Sequence, residues 1–223
     1  MIIMFTLHNI QELLALMSRF IAYFLVITPA GAFHAWAAKK AGDPTASEMG
    51  LESLNPLVHI DLIGIICLII FGFGWGRQIP INPTEIRGNY RTLKLIAASF
   101  AGIAIYLLQA LIYIVLLALI FGGTLQIFTS QDASSFTLVV RNILITGAML
   151  SIFLAIIEFA FKGVMLLATL LTEKKYIEPQ QVWYVLFLLP IILLFLMGQP
   201  LQNVLVTKVF EFADYIARLF GVI

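Results

Sequence analysis

Five side chains stand out in a sequence that is otherwise dominated by apolar residues: His34, His59, Asp61, Glu158 and Lys162. Two imidazoles and a carboxylate are ligand types that suit a transition metal such as zinc. A hydrolytic metal centre needs three protein ligands, an open position for water, and a carboxylate to take that water's proton. His34, His59 and Asp61 are the candidate metal ligands, and Glu158 is the candidate base. Each also has a plainer reading. His34 can be a hydrogen-bonded structural histidine. His59 and Asp61, beside Asn55-Pro56, can orient a loop through backbone hydrogen bonds. Glu158 and Lys162 are four residues apart, which puts them on one helical face with Glu first, the favourable order for a pair. Ionisable residues in a membrane stretch are costly and usually face a cavity or a partner, although Lys162 could instead snorkel to the headgroups.

The elements that position these residues are membrane helices. The chain is 61% hydrophobic and 11% charged, with a mean hydropathy of +1.03. A soluble domain cannot hide that much apolar surface, so lipid is the solvent for most side chains. The fold class expected is an all-α polytopic membrane protein, a bundle of about 4–6 membrane segments forming one integral membrane domain over residues 1–223. Apolar runs place segments at 13–38, 60–73, 93–121, 136–171 and 182–197, with an amphipathic tail at 199–223. The run at 60–73 is shorter than the ~20 residues of a straight crossing, which suggests a short or re-entrant segment. The run at 136–171 would make a helix of about 54 Å, longer than the ~30 Å hydrocarbon core, so it should bend, break or protrude. A net charge of +1 with no basic tract gives no sign of nucleic-acid binding. Cys67 lies in an apolar run and reads as a small buried hydrophobe. The N-terminus lacks a basic region followed by a small-residue cleavage site, so the first apolar stretch is expected to be retained.

One region carries a specific pattern. It reads Phe33-His34-Ala35-Trp36-Ala37-Ala38-Lys39-Lys40-Ala41-Gly42-Asp43-Pro44-Thr45-Ala46, then Asn55-Pro56-Leu57-Val58-His59-Ile60-Asp61-Leu62-Ile63-Gly64. Phe73-Gly74-Trp75 and Ile79-Pro80-Ile81-Asn82-Pro83 follow. This series closely resembles the small bacterial site-2 proteases, a family of intramembrane zinc metalloproteases. The resemblance is dense from Phe33 to Arg87 and only pattern-level after Lys94. Tyr184 to Met197, followed by Gln199-Pro200-Leu201, resembles the family's last helix and its Pro-containing exit.

The resemblance implies that His34 matches the second His of His-Glu-x-x-His. Ala30 and Gly31 then stand at the first His and the Glu, so Ala30-Gly31-Ala32-Phe33-His34 keeps one ligand of two and no general base. The best match to the family's Leu-Asp-Gly motif is Phe161-Lys162-Gly163, which puts Lys162 at the metal-binding Asp. Ala98-Ser99-Phe100-Ala101-Gly102 departs from the family's Ala-Gly-Pro. On this match the Lys162 ammonium stands near where the zinc charge would be and could neutralise Glu158 or Asp61 in a metal-free centre.

The expected function is that of a non-peptidase homologue, a pseudoprotease, in a bacterial cytoplasmic membrane. It would be multi-pass, with the lipid bilayer and a membrane protein or transmembrane helix as its partners. It could hold that partner or serve as an assembly subunit. No cofactor is expected. One alternative is an active intramembrane metalloprotease with zinc on His34, His59 and Asp61 and Glu158 as base. Another is a small-solute or ion transporter, which would explain Glu158 and Lys162 but lacks an inverted repeat.

Orientation follows from the basic residues. A re-entrant second run puts Lys39, Lys40, Arg77, Arg87, Arg91 and Lys94 on one side with Lys174 and Lys175, leaving Arg141, Lys208 and Arg218 opposite. That asymmetry marks the side with these eight basic residues as cytoplasmic. Reporter fusions after Lys39, after Trp75 and after Lys174 are expected to report the cytoplasm. A signal from the far side at the loop carrying Arg87 and Arg91 would rule out this orientation.

Overall fold

Pro29 has no N–H to give the carbonyl four residues back, yet the helix that holds it runs unbroken from Ile10 to Ala41 (α1). In lipid a freed carbonyl needs another donor. Gln109 supplies it, donating from Nε2 to the Leu25 carbonyl at 2.9 Å. Gln109 belongs to a second long helix, α4 (Arg91–Phe121), so the same bond that repairs α1 also ties it to its neighbour.

The computed structural model describes residues 10–122, 135–172, 200 and 202–222. Between α1 and α4 lie the one-turn α2 (Thr45–Glu48), a 3₁₀ turn (Pro56–His59) and the ten-residue α3 (Leu62–Phe71). After α4 comes α5 (Ser135–Thr172), and residues 202–219 form α6. No strand occurs among the described residues apart from an isolated bridge between Ile60 and Gly76. Three helices have the length and hydropathy to cross a membrane, at Glu12–Ala41, Arg91–Phe121 and Phe136–Val164. The chain is an all-α membrane protein.

Helices α1, α4 and α5 pack pairwise. Their shared core takes Tyr23, Val26, Ile27 and Ala30 from α1, Ile103 and Tyr106 from α4, and Leu150, Phe153 and Leu154 from α5. Ala30, Ala98 and Ala155 lie at the contacts and are almost fully buried. Small side chains at such positions let helix backbones approach closely, which is how membrane helices gain packing energy.

Two expectations about the segments need refinement. The fourth apolar run does not break: α5 is continuous over 38 residues, and no proline interrupts it. At about 57 Å it exceeds the hydrocarbon core, so the excess length is taken up by tilt or protrusion. The second run is shorter than expected, α3 being only ~15 Å long. Its limits are set chemically, with the Asp61 side chain capping the start and Gly72 ending it in left-handed backbone (φ 76°). The expected fifth run at 182–197 lies outside the described residues.

The ends of the α3 excursion are held together. Ile60 bridges Gly76, and the Arg77 N–H donates to the His59 carbonyl at 2.7 Å. A segment whose entry and exit are hydrogen-bonded to each other folds back to where it began, so 60–76 is a closed hairpin. Gly64 and Gly74 make it tight. A Cβ on Gly64 would sit 3.0 Å from the Trp75 backbone nitrogen, and one on Gly74 would sit 2.9 Å from Leu68 Cβ. The hairpin is anchored to α1 by the Tyr23 hydroxyl, which donates to the Trp75 carbonyl at 2.9 Å. Phe73 packs on Phe153 of α5 with ring centroids 4.5 Å apart, and Gln202 of α6 donates to the Phe71 carbonyl. In α6, Leu205, Val209, Ala213 and Ile216 are buried in the main core while Lys208 and Glu211 pair at the surface. The tail therefore packs on the bundle.

Asp43 clamps the loops at this end. It is fully buried and accepts from Thr45 N at 3.0 Å, from the Thr45 hydroxyl, and from Asn82 N at 2.6 Å. Losing a buried ionised acceptor strands its donors, at ~1–3 kcal/mol each. Asp43→Ala is expected to lower stability by about 2–5 kcal/mol, read as a fall in melting temperature in detergent. An unchanged melting temperature would refute the clamp.

Candidate functional site

Three membrane helices bring one polar residue cluster together. His34 comes from the last third of α1, and Glu158 and Lys162 come one turn apart from α5. Lys162 Nζ stands 2.7 Å from Glu158 Oε2 and 3.2 Å from His34 Nδ1. His34 is 2% exposed, and the two α5 side chains are 11% and 15% exposed, so the cluster is largely withdrawn from its surroundings. Taking charges out of water is expensive unless each finds a partner. The ammonium serves both neighbours: it offsets the charge of the carboxylate and donates to the imidazole.

Helix α4 contributes space. Gly102 is buried, and a Cβ there would meet His34 Nδ1 at 3.3 Å and Glu158 Oε2 at 3.5 Å. The bare backbone of Gly102 is therefore one wall of the cluster. Ala98-Ser99-Phe100-Ala101-Gly102, which departs from the family motif, does not reveal this role by motif comparison. The available signal was the small-xxx-small spacing of Ala98 and Gly102, which marks a close helix contact.

The remaining candidates are held apart from this cluster by bonds of their own. Asn55 Oδ1 accepts from Leu57 N at 3.1 Å and caps the 3₁₀ turn, with Pro56 as its first residue. Asp61 Oδ1 accepts from Gly64 N at 2.7 Å as the cap of α3. His59 is 1% exposed, and its Nε2 lies 2.7 Å from the Ser53 carbonyl. A carbonyl only accepts, so Nε2 carries the proton and Nδ1 is left with its lone pair. That Nδ1 is buried without a hydrogen-bond partner. Its ring lies directly over Gly31, where a Cβ would come within 2.9 Å of His59 Cε1. Any side chain at position 31 must therefore displace the imidazole. His34, His59 and Asp61 do not converge, and among the described residues no group of three or more His, Cys, Asp or Glu could hold a metal ion. Glu158 is engaged by Lys162 and faces no such group. Ala30 is buried in the core one turn before His34.

Comparison with known proteins gives a partial match. The chain is 42% identical over 78 residues to YwhC of Bacillus subtilis (strain 168), named as a candidate zinc metalloprotease. The match covers 30% of this chain and 36% of that protein, so it spans about a third of the relative's length. No family model matches the chain. No solved structure matches it either.

The energetic role of the cluster can be measured by a double-mutant cycle. Lys162→Met leaves Glu158 buried without its counter-charge, and breaking such a pair costs ~3–5 kcal/mol. Adding Glu158→Gln removes the stranded charge and is expected to recover part of the loss, giving a coupling of ~1–3 kcal/mol. Thermal unfolding in detergent of the two single variants and the double reads this coupling. Additive effects would show that the pair contributes no more than surface contact.

Proposed function

We propose that this protein is a site-2 protease-like membrane protein whose centre works without a metal and without peptidase activity. The observation that carries the reading is the position of Lys162. Its ammonium sits between an imidazole and a carboxylate, the two ligand types that would otherwise hold a cation. A fixed positive charge there compensates Glu158 permanently, so the site has no electrostatic need for zinc. The similarity of part of the chain to a candidate zinc metalloprotease supports the relationship, and the residues at positions 30 and 31 support the loss of chemistry. Alanine cannot ligate a metal and glycine cannot act as a base. The packing of His59 over Gly31 adds that the space a catalytic side chain would need is already filled.

The retained architecture suits binding. Three apolar helices of membrane-spanning length enclose a polar cluster, where a partner transmembrane helix can be held without being cut. Such a protein would hold or shield a membrane partner, or act as a subunit of a larger membrane assembly, in a bacterial cytoplasmic membrane.

Metal analysis of the purified protein tests this reading. After loading with excess zinc and removal of the unbound metal, the zinc content is expected to be well below one per chain. Stoichiometric zinc that disappears in His34→Ala would overturn it.

A further inference from the structure

A neutral imidazole has one lone pair, and in His34 that lone pair is already engaged. Lys162 Nζ lies 3.2 Å from Nδ1, and an ammonium has donors but no acceptor. Nδ1 must accept, so the ring proton resides on Nε2. The opposite tautomer would point an N–H at an ammonium with nothing to accept between them. Metal ligation requires a nitrogen lone pair on the neutral ring. At His34 one nitrogen is bound to the ammonium and the other carries hydrogen.

The surroundings keep this arrangement in place. Glu158 holds the ammonium at 2.7 Å from the preceding turn of α5. Gly102 of α4 borders the cluster so closely that a Cβ there would lie 3.3 Å from Nδ1. His34 Nε2 is buried and has no hydrogen-bond partner among the described residues, so nothing competes for its proton.

We infer that Lys162 is a positioning residue that locks His34 in the Nε2–H tautomer and thereby masks it as a metal ligand. The inference rests on the metal-free reading above and deepens it by naming the device that keeps the metal out. The centre then offers a buried hydrogen-bond donor suited to an oxygen acceptor. His59 presents the complementary group. Its unpartnered Nδ1 lone pair lies over Gly31, one turn before His34 on the same helix.

Nitrogen NMR of the full-length chain labelled with ¹⁵N-histidine tests the lock directly, with His34 assigned by its loss in His34→Gln. In wild type, His34 is expected to be protonated at Nε2 and bare at Nδ1. Lys162→Arg, which keeps a cationic donor, is expected to preserve that pattern. Lys162→Met is expected to redistribute the proton between the two nitrogens. Protonation at Nδ1 in wild type, or an unchanged tautomer in Lys162→Met, would overturn the inference, and the wild-type measurement does not depend on any variant folding.

Cobalt(II) titration supplies the second arm. Lys162→Asp replaces the mask with a carboxylate beside Glu158 and His34, and is expected to raise cobalt affinity at least tenfold over wild type. Adding His34→Ala is expected to abolish the gain. A Lys162→Asp protein that keeps its helical circular dichroism but gains no cobalt would also overturn the inference. The two readings fail differently. Zinc held by wild type through residues other than His34 would remove the metal-free reading and leave the lock standing. A wrong tautomer in zinc-free protein would remove only the lock.

Discussion

A buried charge must be answered where it lies, and the centre of this molecule is arranged around one such answer. Lys162 reaches Glu158 on its own helix and His34 on another, so a single ammonium links α5 to α1. Lipid offers no solvation to either partner, and several kcal/mol ride on keeping the contact. The geometry around it follows from that need. Gly102 lets α4 close over the cluster, and the alanine-lined contacts let the three helices approach until the ammonium spans both acceptors.

The same economy of satisfied polar groups recurs through the fold. Pro29 frees a carbonyl in α1, and Gln109 reaches from α4 to take it. The hairpin around α3 joins its own ends at Ile60 and Gly76 and ties its returning limb to Tyr23. Asp43 gathers donors from Thr45 and Asn82, which lie 37 residues apart in the chain. In each case one polar side chain fastens two elements because an unpaired backbone group is costly in lipid or in a buried loop. The polar groups left over are therefore informative. His34 Nε2 and His59 Nδ1 are buried without partners, and they flank the stretch of α1 whose Ala30 and Gly31 carry no functional group.

The candidate ligands near the loop are committed to local structure. His59 and Asp61 have the right ligand chemistry, but the Ser53 carbonyl and the Gly64 N–H claim them for the loop. The 3₁₀ turn that carries His59 is capped by Asn55, and the Ser53 carbonyl holds the imidazole on the loop side. Residues with metal-binding side chains thus serve here as a loop anchor and a helix cap.

The apolar runs, their lengths and the Gly, Pro and Asn between them were enough to determine an all-α membrane protein and the shortness of its second segment, because period and hydropathy act locally along the chain. The pairing of Glu158 with Lys162 was legible for the same reason: a four-residue spacing on a helix is a local property. Nothing local could show that His34, 128 residues away in sequence, completes the cluster, or that Gly102 opens the space for it. Likewise, the residue types of His34, His59 and Asp61 were compatible with a shared metal, and only tertiary structure separated them by giving each a different hydrogen-bond partner. Residue identity determines what a side chain can bind, but three-dimensional packing decides which of the competing partners lies within reach.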